Sequence, residues 1–104
     1  MPDPIPESAE ALLIAMIAID SVNSDFSGVA DAEAPLARYL TECAAAMGFE
    51  TEMLPVDGDS VNLLVIARTE PDAPWILFES HMDTVGTDAM TIDPFGGHVA
   101  EGRI

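Results

Sequence analysis

Lysine is absent from this 104-residue sequence, and its three basic residues are all arginine. Against them stand 19 aspartate and glutamate residues, which gives a formal net charge of −16. Nucleic acids and anionic membranes are bound through clustered lysine and arginine side chains that contact phosphate groups. The composition therefore argues against both as partners. A solvated acidic surface that keeps the protein soluble is the simplest interpretation, and adaptation to high salt is the sharper hypothesis.

Cysteine occurs once, at Cys43, so the chain cannot form an internal disulfide and does not fit the small secreted proteins that depend on disulfides. The N-terminus, MPDPIPES, carries acids and prolines where a secretory signal carries positive charge. The apolar run from Ala11 to Ile19 is shorter than the roughly 20 residues that cross a bilayer. We therefore expect a soluble, cytoplasmic protein.

Apolar residues are nevertheless abundant, at 49% of the chain, and the mean hydropathy is +0.27. A disordered acidic tail would be far less apolar. A chain of this length buries roughly two-thirds of the surface that it exposes when unfolded. The sequence thus predicts one small folded unit over residues 1–104.

The first segment with helical periodicity follows the prolines of the N-terminus. Pro6 and Glu7 suit a first helical turn, because proline needs no amide partner there and the acid faces the positive end of the helix. Apolar residues then recur at helical spacing to about Ile19. Serine, asparagine, aspartate and glycine dominate residues 21–28, which we interpret as a polar loop without chemistry of its own.

A second helix is predicted to begin between Asp31 and Pro35, since aspartate caps helices well and proline suits a first turn. Gly48 is predicted to end it, with Phe49 folding back onto the last turn. The apolar stripe of this helix is predicted to fill the core, and it consists of Leu36, Leu40, Cys43 and Met47.

Downstream of the helices the apolar pattern becomes that of β-strands. Residues 49–56 and 61–67 are rich in apolar and β-branched side chains. The Asp57-Gly58 pair between them predicts a hairpin. Near the C-terminus, residues 98–104 are predicted to form a strand or half a hairpin around Glu101-Gly102.

The segment from Trp75 to Phe78 is apolar at every position. A strand that is apolar on both faces is buried on both faces, as in the centre of an α/β sheet. The sequence therefore predicts an α/β fold with an αβα layered arrangement, in which two N-terminal helices accompany a mixed sheet. That sheet would contain the hairpin and this central strand, which ends at His81.

His81 is one of only two histidines and lies in the segment LFESHMDTVG. Side chains alternate along a strand, so Glu79, His81 and Asp83 are predicted to share one side. Ligands of open α/β sheets usually bind at the carboxyl ends of the strands. A neutral imidazole there can ligate a transition metal, and a carboxylate two residues on can accept the other ring N–H. A partly buried, purely structural histidine bonded to Asp83 is the alternative.

The segment LFESHMDTVGTDAMTIDPFGGHVAEGRI, residues 77–104, resembles the start of the catalytic domain in a family of zinc-dependent hydrolases. The family comprises aminoacylases, acetylornithine deacetylases, succinyl-diaminopimelate desuccinylases and glutamate carboxypeptidases. The similar features are His-Met-Asp-Thr-Val after an apolar strand, Ile92-Asp93-Pro94-Phe95 and the closing Glu101-Gly102-Arg103-Ile104. The order of two helices, a strand pair and a histidine strand is also similar. Gly86-Thr87 departs from the pattern, because many relatives have a proline there.

The resemblance implies that His81 ligates one ion of a two-zinc site and that Asp83 is the acid that holds the imidazole and supports catalysis. Cobalt is an alternative metal. The substrate would be a small N-acylated amino acid or peptide, and the resemblance is compatible with a homodimeric complete enzyme. Residues 1–104 would be the N-terminal part of the catalytic domain and would stop before the aspartate that bridges the metals. We therefore expect no hydrolysis by these residues alone.

Two alternatives remain open. A non-catalytic acidic α/β domain derived from such an enzyme would bind a partner and keep only part of the site. A non-haem iron oxygenase would use two histidines and a carboxylate, with His98 joining His81 and Asp83. Those oxygenases are all-β barrels with a wider gap before the last histidine, whereas two helices precede the strands here.

Overall fold

The computed structural model describes residues 5–57 and 60–104, in which helices accompany a small antiparallel sheet. The elements in chain order are α1 (Ala9–Ile17), α2 (Ser24–Ser27), α3 (Ala34–Ala46), β1 (Glu50–Val56) and β2 (Ser60–Ile66). This combination is that of a small α/β fragment and confirms the coarse fold class. No helix in the described ranges is long and apolar enough to cross a membrane.

Helix α1 begins later than predicted, because a serine and not the proline sets its start. The hydroxyl of Ser8 accepts the backbone N–H of Ala11 at 3.0 Å. A cap of this kind stabilises a helix by about 1 kcal/mol, since it satisfies an amide that has no partner within the helix. The last residue of α1 is Ile17, two residues before the predicted end at Ile19.

Helix α3 begins and ends close to the predicted positions. Its end is a Schellman motif, in which the N–H of Gly48 donates to the carbonyl of Ala45 and the N–H of Phe49 to that of Ala44, both at 3.0 Å. Gly48 has a φ of 89°, in the left-handed region that glycine enters without steric cost. The prediction that Phe49 folds back onto the last turn is confirmed by this pair of bonds.

The core of the described residues is small and centred on α3, which packs against both strands. Its buried apolar residues are Val22, Ala32, Ala34, Leu36, Ala37, Cys43 and Ala44. Of the predicted stripe, Leu36 and Cys43 are buried and Leu40 is half-buried. The prediction was wrong for Met47, which is 59% exposed. Met47 is the C-cap residue of α3 and lies just outside the helix.

The predicted hairpin is confirmed. β1 and β2 pair antiparallel in the register from Glu50↔Ile66 to Val56↔Ser60. The predicted turn residues Gly58 and Asp59 lie outside the described residues.

The structure does not bear out the central strand predicted at Trp75 to Phe78. Among the described residues the sheet contains β1 and β2 only. The four side chains are 68%, 78%, 80% and 90% exposed in chain order. A buried strand needs neighbours whose backbone groups pair with its own. The guanidinium carbon of Arg68 lies 5.5 Å from the ring centre of Trp75, and the four residues otherwise remain largely exposed.

The predicted C-terminal half-hairpin is present as a tight turn. Ala100 and Arg103 exchange two backbone hydrogen bonds, of 3.0 and 2.9 Å. Glu101 and Gly102, between them, have φ values of 51° and 73°. Two consecutive positive φ values at the centre of a two-residue loop define a type I′ turn, the connection that favours hairpins.

We expect Gly97→Ala to destabilise the protein more than Gly102→Ala. Both glycines have positive φ, 58° and 73°, which costs an alanine roughly 1–2 kcal/mol. At Gly97 a Cβ atom would also lie 2.9 Å from Cγ2 of Ile14, whereas at Gly102 nothing lies within 4 Å. Urea unfolding of both variants measures the difference. Equal losses of unfolding free energy would show that the contact with α1 contributes nothing.

Candidate functional site

The site is assembled where two distant segments meet. Residues 21–23 lie beside residues 82–84 and form an isolated parallel bridge between Val22 and Thr84. The N–H of Thr84 donates to the carbonyl of Ser21 at 3.0 Å, and the N–H of Asn23 donates to the carbonyl of Thr84 at 2.9 Å. These bonds hold the segment before α2 against the chain that carries His81.

Ser21 fixes the backbone of the segment that carries His81. It is 3% exposed, and its hydroxyl donates to the carbonyl of Met82 at 2.9 Å. A buried hydroxyl without a partner would destabilise the fold, so this bond constrains both residues. Met82 lies between His81 and Asp83 in the sequence. Its immobilised backbone therefore sets where the two functional side chains begin.

Asn23 contacts the carboxylate directly. Its Nδ2 donates to Oδ2 of Asp83 at 2.7 Å, and its Oδ1 accepts the backbone N–H of Asp25 at 2.8 Å. A carboxylate only accepts hydrogen bonds and a backbone amide only donates. The two contacts therefore determine which way the amide of Asn23 points. One side chain caps α2 and holds Asp83.

The ring of His81 is oriented by two oxygen atoms of the same residue. Its Nδ1 lies 2.9 Å from the backbone carbonyl oxygen of Asp83 and 3.2 Å from Oδ1 of that residue. Both oxygens are acceptors, so in the neutral imidazole Nδ1 carries the proton and Nε2 keeps a free lone pair. The His81 side chain is 85% exposed, against 32% for Asp83. This exposure argues against a buried structural histidine.

Asp83 is held in its ionised form. The hydrogen bond from Asn23 lowers the pKa of Asp83 below its ordinary value of 3.8. Partial burial opposes this shift, while the positive charge of a protonated His81 and hydrogen bonds from the Asp83 backbone and from His81 also lower the pKa. The carboxylate is therefore a permanent acceptor at neutral pH, as a residue that orients an imidazole must be.

The lowered pKa of Asp83 predicts a pH dependence of stability. A carboxyl whose pKa is lower in the folded protein stabilises it above the unfolded value of 3.8, and this contribution disappears as the pH falls through the folded-state pKa. We therefore expect the unfolding free energy of Asp83→Asn to fall less steeply with acid than that of the unchanged protein. Urea unfolding from pH 5 to pH 2 measures both slopes. Parallel curves would contradict the prediction.

The described residues do not assemble the site of the iron oxygenase alternative. Among them, no group of three or more histidine, cysteine, aspartate or glutamate residues lies close enough to hold a metal ion. His98 therefore does not join His81 and Asp83 in a facial triad. Glu79 is exposed. A zinc ion usually has four ligands. His81 could supply one of them, and other residues would have to supply the rest. Its role as a metal ligand therefore stays a prediction.

Sequence reasoning missed Ser21 and Asn23, because residues 21–28 were interpreted as a loop without chemistry. The loop prediction was wrong for Ser24–Ser27, which form α2. A local signal for α2 was present, since Asn23 is a favoured N-cap residue and Gly28, with a φ of 69°, is a favoured helix end. The contact between Asn23 and Asp83 spans 60 residues, and no local pattern predicts it.

No protein-family profile, curated protein or solved structure matches this chain.

Proposed function

We propose that residues 1–104 are the N-terminal part of the catalytic domain of a two-zinc amidohydrolase. The enzyme would remove the acyl group from an N-acyl amino acid or cleave a small peptide, in the cytoplasm. The observation that carries the proposal is the exposed ring of His81, whose Nδ1 faces two acceptors and whose Nε2 is free. Zinc-binding histidines are commonly held in this way by a carboxylate or a carbonyl.

In this proposal His81 ligates one zinc ion through Nε2, and Asp83 holds the ring. The two ions, for which cobalt can substitute, would supply an activated water molecule and stabilise negative charge on the attacked carbonyl. Asp83 keeps the proton of His81 on Nδ1 and makes Nε2 a stronger ligand. Asn23 keeps Asp83 ionised by donating to it. The remaining ligands and the general base would lie beyond residue 104.

The proposal includes an αβα layered fold with a mixed sheet for the complete domain, which we propose to be homodimeric. Trp75 to Phe78 would be its central strand, covered by strands that follow residue 104. The support is energetic, because covering a leucine or phenylalanine side chain stabilises a protein by about 1.5–3 kcal/mol. Four adjacent apolar side chains that are at least 68% exposed are therefore a strong candidate for such a strand.

The test is the coding sequence beyond Ile104 and the activity of the protein that it encodes. We expect an open reading frame that continues into a glycine-rich segment ending in aspartate. We also expect zinc-dependent release of ornithine from N-acetylornithine, or of another free amino acid from its N-acyl form. A stop codon directly after Ile104, or hydrolysis by residues 1–104 alone, would overturn the proposal.

A second candidate function is a non-catalytic acidic α/β domain that binds a protein partner. The exposed apolar run from Trp75 to Phe78 favours it, since such patches often mark interaction surfaces. A stop codon after Ile104 would support this candidate. It predicts that changes at His81 leave partner binding intact.

A further inference from the structure

We infer that Asn23 is a positioning residue for Asp83 and, through Asp83, for the ring of His81. The reason for this positioning, which is to present Nε2 of His81 to a zinc ion, rests on the proposed function. The hydrogen bonds that position the ring are seen in the structure and do not depend on that proposal. These hydrogen bonds run from the backbone of α2 through one amide and one carboxylate to the imidazole.

Each carboxylate oxygen of Asp83 has its own partner. Oδ2 accepts from Nδ2 of Asn23 at 2.7 Å, and Oδ1 lies 3.2 Å from Nδ1 of His81. A carboxylate held at one oxygen cannot rotate freely about its Cβ–Cγ bond. The short bond to Asn23 thus keeps the other oxygen on the side of the imidazole. Without it, water would compete for a side chain that is 32% exposed.

Asn23 is itself held at two points. Its backbone N–H donates to the carbonyl of Thr84 at 2.9 Å, which is one of the two bonds of the parallel bridge, and its Oδ1 accepts from Asp25 at 2.8 Å. The last bond turns the NH2 group of the amide towards Asp83. The short helix α2 therefore has a specific effect on the site, because the backbone N–H of Asp25 sets the orientation of the Asn23 amide that donates to Asp83.

The rival explanation is that Asn23 serves only as the N-cap of α2. Asn23→Asp distinguishes the positioning role from the capping role, because aspartate caps helices as well as asparagine does. The variant keeps an acceptor for the N–H of Asp25 and replaces the donor by an oxygen that repels Asp83. Asn23→Ser is the second variant, since serine also caps well and adds no charge. Ionised aspartate has no donor, and the hydroxyl of serine lies one bond closer to the backbone than Nδ2 of Asn23, which donates to Oδ2 at 2.7 Å.

The experiment reads the tautomer of His81 by long-range 1H–15N spectroscopy of the uniformly labelled 104-residue chain, without metal, at alkaline pH. We expect the unchanged protein to show Nδ1 protonated and Nε2 unprotonated. Asn23→Asp and Asn23→Ser are expected to show a larger fraction of the Nε2-protonated ring, while the backbone carbonyl of Asp83, 2.9 Å from Nδ1, keeps part of the preference. His98 is the internal reference in the same spectrum. Backbone amide shifts of α3 and the hairpin confirm that each variant is folded.

Ser27→Ala is the matched control, because it removes a side chain of α2 that makes hydrogen bonds near Asn23 but none to Asp83. Its hydroxyl donates to the carbonyl of Val22 at 3.2 Å and accepts the N–H of Val29 at 3.2 Å. The tautomer of His81 should be unchanged in this variant.

Three results would overturn the inference: a ring of His81 with Nε2 protonated in the unchanged protein, an unaltered tautomer in a folded Asn23 variant, or an equal change in Ser27→Ala. Failure of the proposed function is distinguishable, since it would appear as absence of hydrolysis by the protein that continues beyond Ile104. That outcome leaves the metal-free tautomer of His81 as it is.

Discussion

Under the proposed function, replacing His81 with alanine is expected to abolish the zinc-dependent hydrolysis proposed for the complete protein and to remove the weak zinc binding expected of residues 1–104. A full zinc site contributes about 10–16 kcal/mol of apparent binding from about four ligands. One histidine with a supporting acid would supply about a quarter of that, or roughly 2.5–4 kcal/mol, which corresponds to a Kd between about 1 and 15 mM. Titration of the chain with zinc chloride, followed through the imidazole resonances, measures this affinity.

His98→Ala is the matched control for that experiment, since it removes the other histidine, which is also exposed. It should keep both the zinc response and the hydrolysis. Asp83→Asn should weaken metal affinity or activity by about 10- to 100-fold, the usual effect of losing the partner of a ligating histidine. An unchanged zinc response in His81→Ala, or an equal loss in His98→Ala, would refute the assignment of His81 as a ligand.

Elements whose determinants lie within a few residues could be predicted from the sequence. The end of α3 follows from Gly48, because glycine is the residue type that adopts a φ of 89° without steric cost. The hairpin of β1 and β2 follows from two β-branched runs around Asp57-Gly58, and the terminal turn from Glu101-Gly102. In each case the backbone conformation is decided locally, so the neighbouring sequence contains the information.

Burial could not be predicted in the same way, because it depends on what other segments cover. Met47 fits the apolar stripe of α3 by spacing, yet it is the C-cap residue of the helix and is 59% exposed. Trp75 to Phe78 has the composition of a buried strand and is the most exposed apolar run described. Periodicity identifies side chains that favour burial but does not supply the partner.

The candidate site divides along the same line. The contact between His81 and Asp83 joins residues two positions apart, so the sequence could predict it, although the closer acceptor is the backbone carbonyl and not the carboxylate. Ser21 and Asn23 reach the site across 61 and 60 residues. These residues lie near Asp83 only in the folded chain, so the hydrogen bonds that support Asp83 could not be predicted from the sequence.

The protein is expected to self-associate through Trp75 to Phe78, and more strongly as salt is added. Covering each large apolar side chain contributes about 1.5–3 kcal/mol, while a net charge of −16 on each copy opposes contact. Salt shortens the range of that repulsion from about 30 Å at 0.01 M to about 8 Å at 0.15 M. Sedimentation velocity over this range should therefore show a growing fraction of dimer or larger species.

Phe78→Ser is expected to reduce that fraction, because Phe78 is 90% exposed and its removal from the segment costs the folded chain little. Ile92→Ser is the matched control, since Ile92 is 75% exposed but lies outside the segment. If association were nonspecific and involved any exposed apolar side chain, both variants would weaken it equally. A protein that remains monomeric over the whole salt range would contradict the prediction, because the repulsion between two copies reaches only about 8 Å at 0.15 M salt.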